Sequence, residues 1–339
     1  MIAPSPSAVT LSVIIVNFNS GARLVRCLEH LSRQTFRDFE VIIVDNASTD
    51  GSLDKALAAA PAPLTPRAIR SATNAGFAAA NNLAAREARG EWLVFLNPDA
   101  YPERDWLTAL VAASERFPSA DAFGSTQLDA ADPSIIDGAG DVVHILGIPY
   151  RGHFGWPAEL LPGDGECFAP CAAAAMYRAR VFADLGGFEE RFFCYGEDVD
   201  LGFRLRLAGG RAVQVRAARV LHEGSGVSGR YSDFTVYHGN RNRIWMTYRN
   251  MPALLYWPLV PLRLLADAYL CLRAFTVGTG RAYARAVLDG YGGLPALAND
   301  RRRLQKTRKA GVSEIARALT WSPLKVSRRE ASLRPISPR

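Results

Sequence analysis

Three short stretches set carboxylates directly against apolar runs: Val41-Ile42-Ile43-Val44-Asp45-Asn46-Ala47-Ser48-Thr49-Asp50-Gly51, Phe95-Leu96-Asn97-Pro98-Asp99 and Tyr195-Gly196-Glu197-Asp198-Val199-Asp200. Asp45 ends a β-rich run, where its carboxylate can accept hydrogen bonds from a base or a ribose. It can equally cap the next helix, a role open to Ser48 and Asp50 as well. Asn97-Pro98-Asp99 forms a polar turn after another run. Short oxygen donors there suit Mg2+ or Mn2+ on a nucleotide diphosphate, which takes few ligands from protein and the rest from phosphate and water. The plainer reading is a Pro-Asp turn. Glu197-Asp198-Val199-Asp200 opens a helix patterned by Leu201, Phe203, Leu205 and Leu207. A helix dipole favours acids in its first turn, yet three carboxylates in four residues repel unless a proton or cation is shared. Displacement at a sugar carbon needs a base to take the attacking hydroxyl's proton. Asp198 is the candidate, with Glu197 beside it.

His222 lies 24 residues beyond Asp198, after a strand-like run and before the Gly/Ser-rich Gly224-Ser225-Gly226, which is expected to be mobile. A neutral imidazole there would serve as a metal ligand beside Asp99; a lone histidine is also compatible with a structural role. The cluster Tyr237-His238-Gly239-Asn240-Arg241-Asn242-Arg243 is rich in donors, and Arg241 and Arg243 are phosphate or acceptor candidates. A solvated helix start is the alternative. Trp156 sits in a Gly-, Pro- and aromatic-rich stretch, about 138–165, that reads as a long loop shaping an acceptor site.

Positioning these groups falls to alternating elements. Strands are expected at Leu11–Asn17, Phe39–Val44, Arg67–Ser71 and Trp92–Leu96, with helices at about Ala22–Gln34 (capped by Ser20), Ser52–Ala60, Gly76–Arg89 and Pro102–Phe117. Later come structure at Ala172–Phe182, a helix at Val199–Leu207 and a strand at Arg211–Val215 or Arg219–Leu221. Such alternation predicts βαβ units and a parallel sheet. Ligands then bind past the carboxyl ends of the strands, where Asp45 and Asp99 fall.

The chain of 339 residues, 49% hydrophobic and 22% charged, can bury a large core. Its net charge of +7 is uneven: residues 1–250 sum to −4 and residues 251–339 to +11. Five scattered cysteines, of which only Cys167 and Cys171 are close, complete no zinc pattern and suit reduced thiols in a cytosol. No signal-peptide pattern opens the chain, and there are no repeats. The apolar segment at 251–298 reads as an interfacial, membrane-associating helical region or as a buried helical hairpin. The basic tail, 299–339, is expected to be partly disordered and to face an anionic surface. Lacking an aromatic stacking platform, that tail is not expected to bind nucleic acid.

Taken in order, these residues resemble a family 2 glycosyltransferase with the GT-A fold, and within it the bacterial rhamnosyltransferases of polysaccharide assembly. The resemblance runs from Leu11 to about Asn250. It also rests on Val13-Ile14-Ile15-Val16-Asn17-Phe18-Asn19, Asn74-Ala75-Gly76-Phe77-Ala78-Ala79-Ala80-Asn81-Asn82 and Gly186-Gly187-Phe188-Glu189-Glu190. It implies an α/β, Rossmann-like, mostly parallel sheet flanked by helices, with a nucleotide-sugar half at about 9–125, an acceptor and base half at about 126–250, and a helical C-terminal extension. By the resemblance, Asn17, Phe18, Asp45, Asn74, Asn97 and Asp99 bind the donor. Asp99 and His222 ligate Mg2+ or Mn2+, and Asp198 is the base of an inverting single displacement. Asn97 stands where the strict metal motif has a first aspartate, and Cys171 stands where the family usually has glycine. The implied partners are a dTDP- or UDP-sugar, a saccharide or lipid-linked acceptor, and the inner face of the plasma membrane. A nucleotidyltransferase would carry a Gly-rich basic loop where Phe18–Arg23 has one glycine. An inactive GT-A scaffold that binds a partner or membrane would have no need of Asp99, Asp198 and His222 together.

Overall fold

The computed structural model describes residues 9–224 and 232–336. The Gly/Ser-rich segment after Gly224 lies outside the described residues. Elements alternate as β1 (Val9–Asn17), α1 (Arg23–Ser32), β2 (Phe39–Asp45), α2 (Ser52–Ala58), β3 (Arg67–Arg70), α3 (Gly76–Glu87), β4 (Gly90–Leu96), β5 (Ala100–Pro102), α4 (Trp106–Arg116) and β6 (Ala122–Asp129). There follow β7 (Ile136–Gly138), β8 (Asp141–Val143), β9 (Pro149–Arg151), β10 (Gly165–Cys167), β11 (Ala174–Arg178), α5 (Ala179–Asp184), α6 (Glu197–Leu207) and β12 (Ala212–His222). The C-terminal extension is helical: α7 (Asp233–Asn250), α8 (Ala253–Tyr256), α9 (Val260–Thr276), α10 (Gly280–Gly292), α11 (Ala298–Thr307), α12 (Val312–Ala318) and α13 (Pro323–Arg328).

The central sheet runs β10-β12-β6-β11-β4-β1-β2-β3, with β5 on β12 and β7 on β6. Its β4-β1-β2-β3 half is parallel throughout, whereas β11 enters antiparallel between β4 and β6. Parallel strands with helices on both faces must be apolar on both sides. Leu11, Val13 and Ile15 of β1 accordingly pack towards α1 and α4, while Ile14 and Val16 pack towards α3 and the Phe182–Phe188 region. Val41 and Ile43 of β2 divide from Ile42 and Val44 in the same way. Each such aliphatic side chain is worth roughly 1.5–3 kcal/mol on burial.

Several boundaries differ from expectation for local reasons. Pro102 does not open a helix. It ends β5, opposite Val220 of β12, and α4 starts at Trp106. Ser20 does not cap α1; its hydroxyl donates instead to Asn17 Oδ1 inside the site. The stretch at 138–165 is not one loop, because β8 and β9 pair in it as a short antiparallel ribbon. The tail is ordered across its described residues: Thr320 exchanges backbone hydrogen bonds with Val143 and Ile145, and Arg334 exchanges them with Glu166. Its basic composition misled because Arg334 is neutralised by Glu166 at 2.7 Å, which Arg206 also engages at 2.8 Å.

Helix α6 is locked to α7 through one buried carboxylate. Asp200 is fully buried and takes hydrogen bonds from Arg204 Nε at 2.7 Å, Arg249 Nη1 at 2.9 Å and Asn250 Nδ2 at 2.7 Å. Removing it strands the buried Arg204 guanidinium and takes one of two carboxylates from Arg249, which keeps Glu189 at 2.8 Å. Asp200→Ala is therefore expected to destabilise the chain by about 3–5 kcal/mol in urea unfolding; a loss under about 1 kcal/mol would show that α6 is positioned by other contacts.

Candidate active site

The donor side is built where β1 and β2 end together. Their register sets Asn17 opposite Asp45. The buried Asn17 amide donates to Asp45 Oδ1 at 2.7 Å, Ser52 Oγ at 2.9 Å and Ser48 Oγ at 3.1 Å, so Asp45 is aimed by its neighbour rather than by its own turn alone. Phe18 follows, half-buried, with Asn19 at φ 47°. Asn46, absent from the sequence-based candidates, ties this corner to the next: its Nδ2 donates to Asn74 Oδ1 at 2.8 Å and its Oδ1 accepts from Ala75 N at 3.0 Å. Asn74 itself is exposed beside the start of α3.

Between β4 and β5, the turn Asn97-Pro98-Asp99 meets β12. The β5–β12 pairing sets His222 opposite Ala100, which brings the imidazole to the residue before it. His222 Nε2 lies 3.5 Å from Asp99 Oδ1, and Nδ1 lies 2.7 Å from Asp137 Oδ2. Burial drives this imidazole's pKa down, but the hydrogen bond with Asp137 and the nearby Asp99 carboxylate outweigh it and hold the group above its ordinary value. Nε2 is buried and makes no hydrogen bond. One carboxylate and one ring nitrogen at this spacing fit a divalent cation such as Mn2+.

The acid-rich turn of α6 sorts its three carboxylates by environment. Asp200 is consumed by its arginines. Glu197 is buried, its Oε2 lacks a partner, and burial together with the neighbouring Asp198 pushes its carboxyl well above the usual range. Asp198 alone is half-buried; its Oδ2 takes the Ala172 amide at 3.1 Å. It lines a cavity of 320 Å³ together with Asn97, Asp141, Arg151, Cys171 and Tyr195. Burial and the nearby Asp198 also push the Asp141 carboxyl well up.

The loop before Asp198 is strained. Phe193, Tyr195 and Gly196 have φ of 65°, 71° and 80°. Such backbone persists only where surroundings over-determine it. Asn242 does so: fully buried on α7, its Nδ2 donates to Phe192 O at 2.9 Å, Cys194 O at 2.9 Å and Tyr195 O at 2.7 Å. From the other side, Gly76 at φ 86° lets α3 approach; a Cβ there would sit 2.5 Å from the Phe193 ring.

The donor-rich cluster of α7 is thus structural in its centre. Arg243 is buried against Asp267 and Tyr283 Oη, and Arg241 spends its guanidinium on Phe192 O at 3.1 Å and Asn242 Oδ1 at 2.8 Å. Trp156 lies outside the cavity lining; it stacks on His153 and donates to Arg328 O at 2.8 Å. Asn242, Asn46 and Asp137 were not among the site candidates. Only Asn242 gave a signal, as the neutral member of a run of cations.

A family model described as glycosyl transferase family 2 matches residues 12–186, more than half of the chain. The N-acetylglucosaminyl-diphospho-decaprenol L-rhamnosyltransferase of Mycobacterium tuberculosis is 30% identical over 290 residues, covering 78% of this chain and 91% of that protein. Among solved structures, a Staphylococcus aureus TarS fragment in complex with UDP-GlcNAc superposes with a TM-score of 0.57 at 17% identity, over 92% of this chain and 93% of that one. The mannosyltransferase PcManGT of Pyrobaculum calidifontis, with GDP-Man and Mn2+, gives a TM-score of 0.53 at 17% identity, over 92% and 88%. These two likenesses bear on the fold. The chain belongs to glycosyl transferase family 2 and is a glycosyltransferase of the GT-A fold.

Proposed function

We propose that the chain is an inverting transferase that moves a deoxyhexose, rhamnose first among them, from a dTDP- or UDP-sugar to a lipid-linked saccharide. The observation that carries this reading is the placement of the α6 carboxylates: Asp198, the half-buried one, lines a cavity that also holds Asn97 of the metal-side turn. The 30% identity to a rhamnosyltransferase whose name gives an N-acetylglucosaminyl-diphospho-decaprenol acceptor favours the sugar and the acceptor class.

In this reading Asn17, Phe18, Asp45, Asn74 and Asn97 seat the nucleotide and its sugar. Asp99 and His222 would hold Mg2+ or Mn2+, which when bound offsets charge on the departing diphosphate. Asp198 takes the proton of the acceptor hydroxyl as that oxygen attacks the anomeric carbon from the face opposite the leaving group, inverting it. Arg151, which lines the same cavity, places a positive charge among the carboxylates around Asp198. Asp198→Asn is expected to lower kcat by at least about 10²-fold while leaving donor affinity within a factor of two. Near-normal turnover in that variant would remove Asp198 from the role.

The same reading locates the enzyme peripherally on the inner face of the plasma membrane. Helix α9 is inverted relative to a water-facing helix. Its Arg263 and Asp267 are buried against the domain, Arg263 donating to Tyr256 O at 2.6 Å and Ile145 O at 3.0 Å, and Asp267 accepting from Tyr291 Oη at 2.7 Å. Its opposite face exposes Leu265, Tyr269, Leu272 and Phe275, continued by Leu254 and Trp257 of the preceding turns. Residues 253–276 are long and apolar enough to cross a membrane by length and composition. The bonded polar face favours an in-plane helix instead, with Trp257 and Tyr269 at the headgroup level. The full chain should co-sediment with phosphatidylglycerol vesicles. Leu265→Glu combined with Leu272→Glu should cut that binding more than tenfold, since each leucine is worth roughly 1.5–3 kcal/mol on leaving water. Unchanged sedimentation would refute docking through this face.

A further inference from the structure

Asp137 is 1% exposed on β7, the short strand that pairs with β6. Its Oδ2 accepts from His222 Nδ1 at 2.7 Å and also from Arg151 Nη1. His222 belongs to the metal side. Arg151 lines the cavity beside Asp198. One buried carboxylate oxygen therefore touches a residue from each half of the site.

The chemistry of that contact is directional. An ionised carboxylate only accepts, so the imidazole must carry its proton on Nδ1. In a neutral ring the lone pair then sits on Nε2, the atom that is buried without a hydrogen bond 3.5 Å from Asp99 Oδ1. An Nε2-protonated ring would aim a hydrogen at a cation instead. Arg151, which can only donate, reaches the same Oδ2, so that oxygen already serves as an acceptor there.

We infer that Asp137 is a positioning residue: it fixes the tautomer and ring orientation of His222 for metal ligation and ties that ligand to Arg151 at the acceptor cavity. Such outer carboxylates typically change metal affinity 10–100-fold. The inference rests on the metal role proposed above for Asp99 and His222.

The test uses the full chain and Mn2+ alone, with binding followed by electron paramagnetic resonance. Asp137→Asn presents an amide N–H to either Arg151 or His222, so Mn2+ affinity should fall 10–100-fold, as it should in Asp99→Ala. If Asp99→Ala binds Mn2+ like the natural chain, the metal reading itself fails. If Asp99→Ala weakens binding and Asp137→Asn does not, the metal reading stands and the role of Asp137 is overturned. A second readout is independent of whether the variant folds: the imidazole 15N shifts of the metal-free natural chain, assigned with His222→Gln. An Nδ1-protonated His222 is expected, and an Nε2-protonated one would overturn the inference.

Discussion

Three carboxylates share the first turn of α6, and that turn can exist only because each is held in a different way. Left alike, they would repel one another in a poorly hydrated site. Asp200 is neutralised by Arg204 and Arg249 from α6 and α7. Glu197 is buried and its carboxyl is pushed well above the usual range. Asp198, the least buried of the three, lines the cavity with Glu197 beside it. Much of the acceptor half serves this division: α7 supplies Arg249, Asn250 and, about two turns earlier, Asn242, which braces the strained loop leading into the helix. The C-terminal helices then pack on α7 and secure its position through Arg243 and Asp267.

The donor half obeys a simpler constraint. Parallel strands that are apolar on both faces end at a common edge, and polar residues one step beyond that edge converge without further design. Asn17 and Asp45 meet because β1 and β2 pair in register. Asp99 and His222 meet because β5 returns antiparallel against β12. The base and the metal-side turn border one cavity because β4 carries Asn97 to the Ala173 carbonyl just before β11, while Ala172 donates to Asp198.

What was legible in the sequence follows from this. Apolar runs such as Leu11–Val16 and Val41–Val44 announce buried strands, so the α/β architecture and the positions of Asp45 and Asp99 at strand ends could be read directly. Asp198 was legible as one of three acids, but its distinction from Asp200 depends on arginines 4 and 49 residues beyond Asp200. Asn242 and Asp137 act through partners far along the chain, and a single sequence does not reveal such pairings. Arg243 of α7 lines the cavity beside Asp198, but composition shows its charge and not the carboxylate it pairs with, Asp267. The tail's order was hidden for the same reason: Glu166 cancels Arg334 across 168 residues.

These relations describe two half-sites that border one cavity, across which a donor and a cation would sit. The direct test is thermal unfolding of the full chain with dTDP-rhamnose, UDP-galactose, UDP-glucose, UDP-N-acetylglucosamine and GDP-mannose in turn, each with Mn2+ and then with EDTA. A ligand held only by the folded state adds about 2.7 kcal/mol at a hundredfold excess over its Kd. The account predicts a rise in Tm with one donor, dTDP-rhamnose first among them, that vanishes on chelation. A Tm indifferent to every donor with Mn2+ present would contradict it and favour a scaffold that has kept the fold without the reaction.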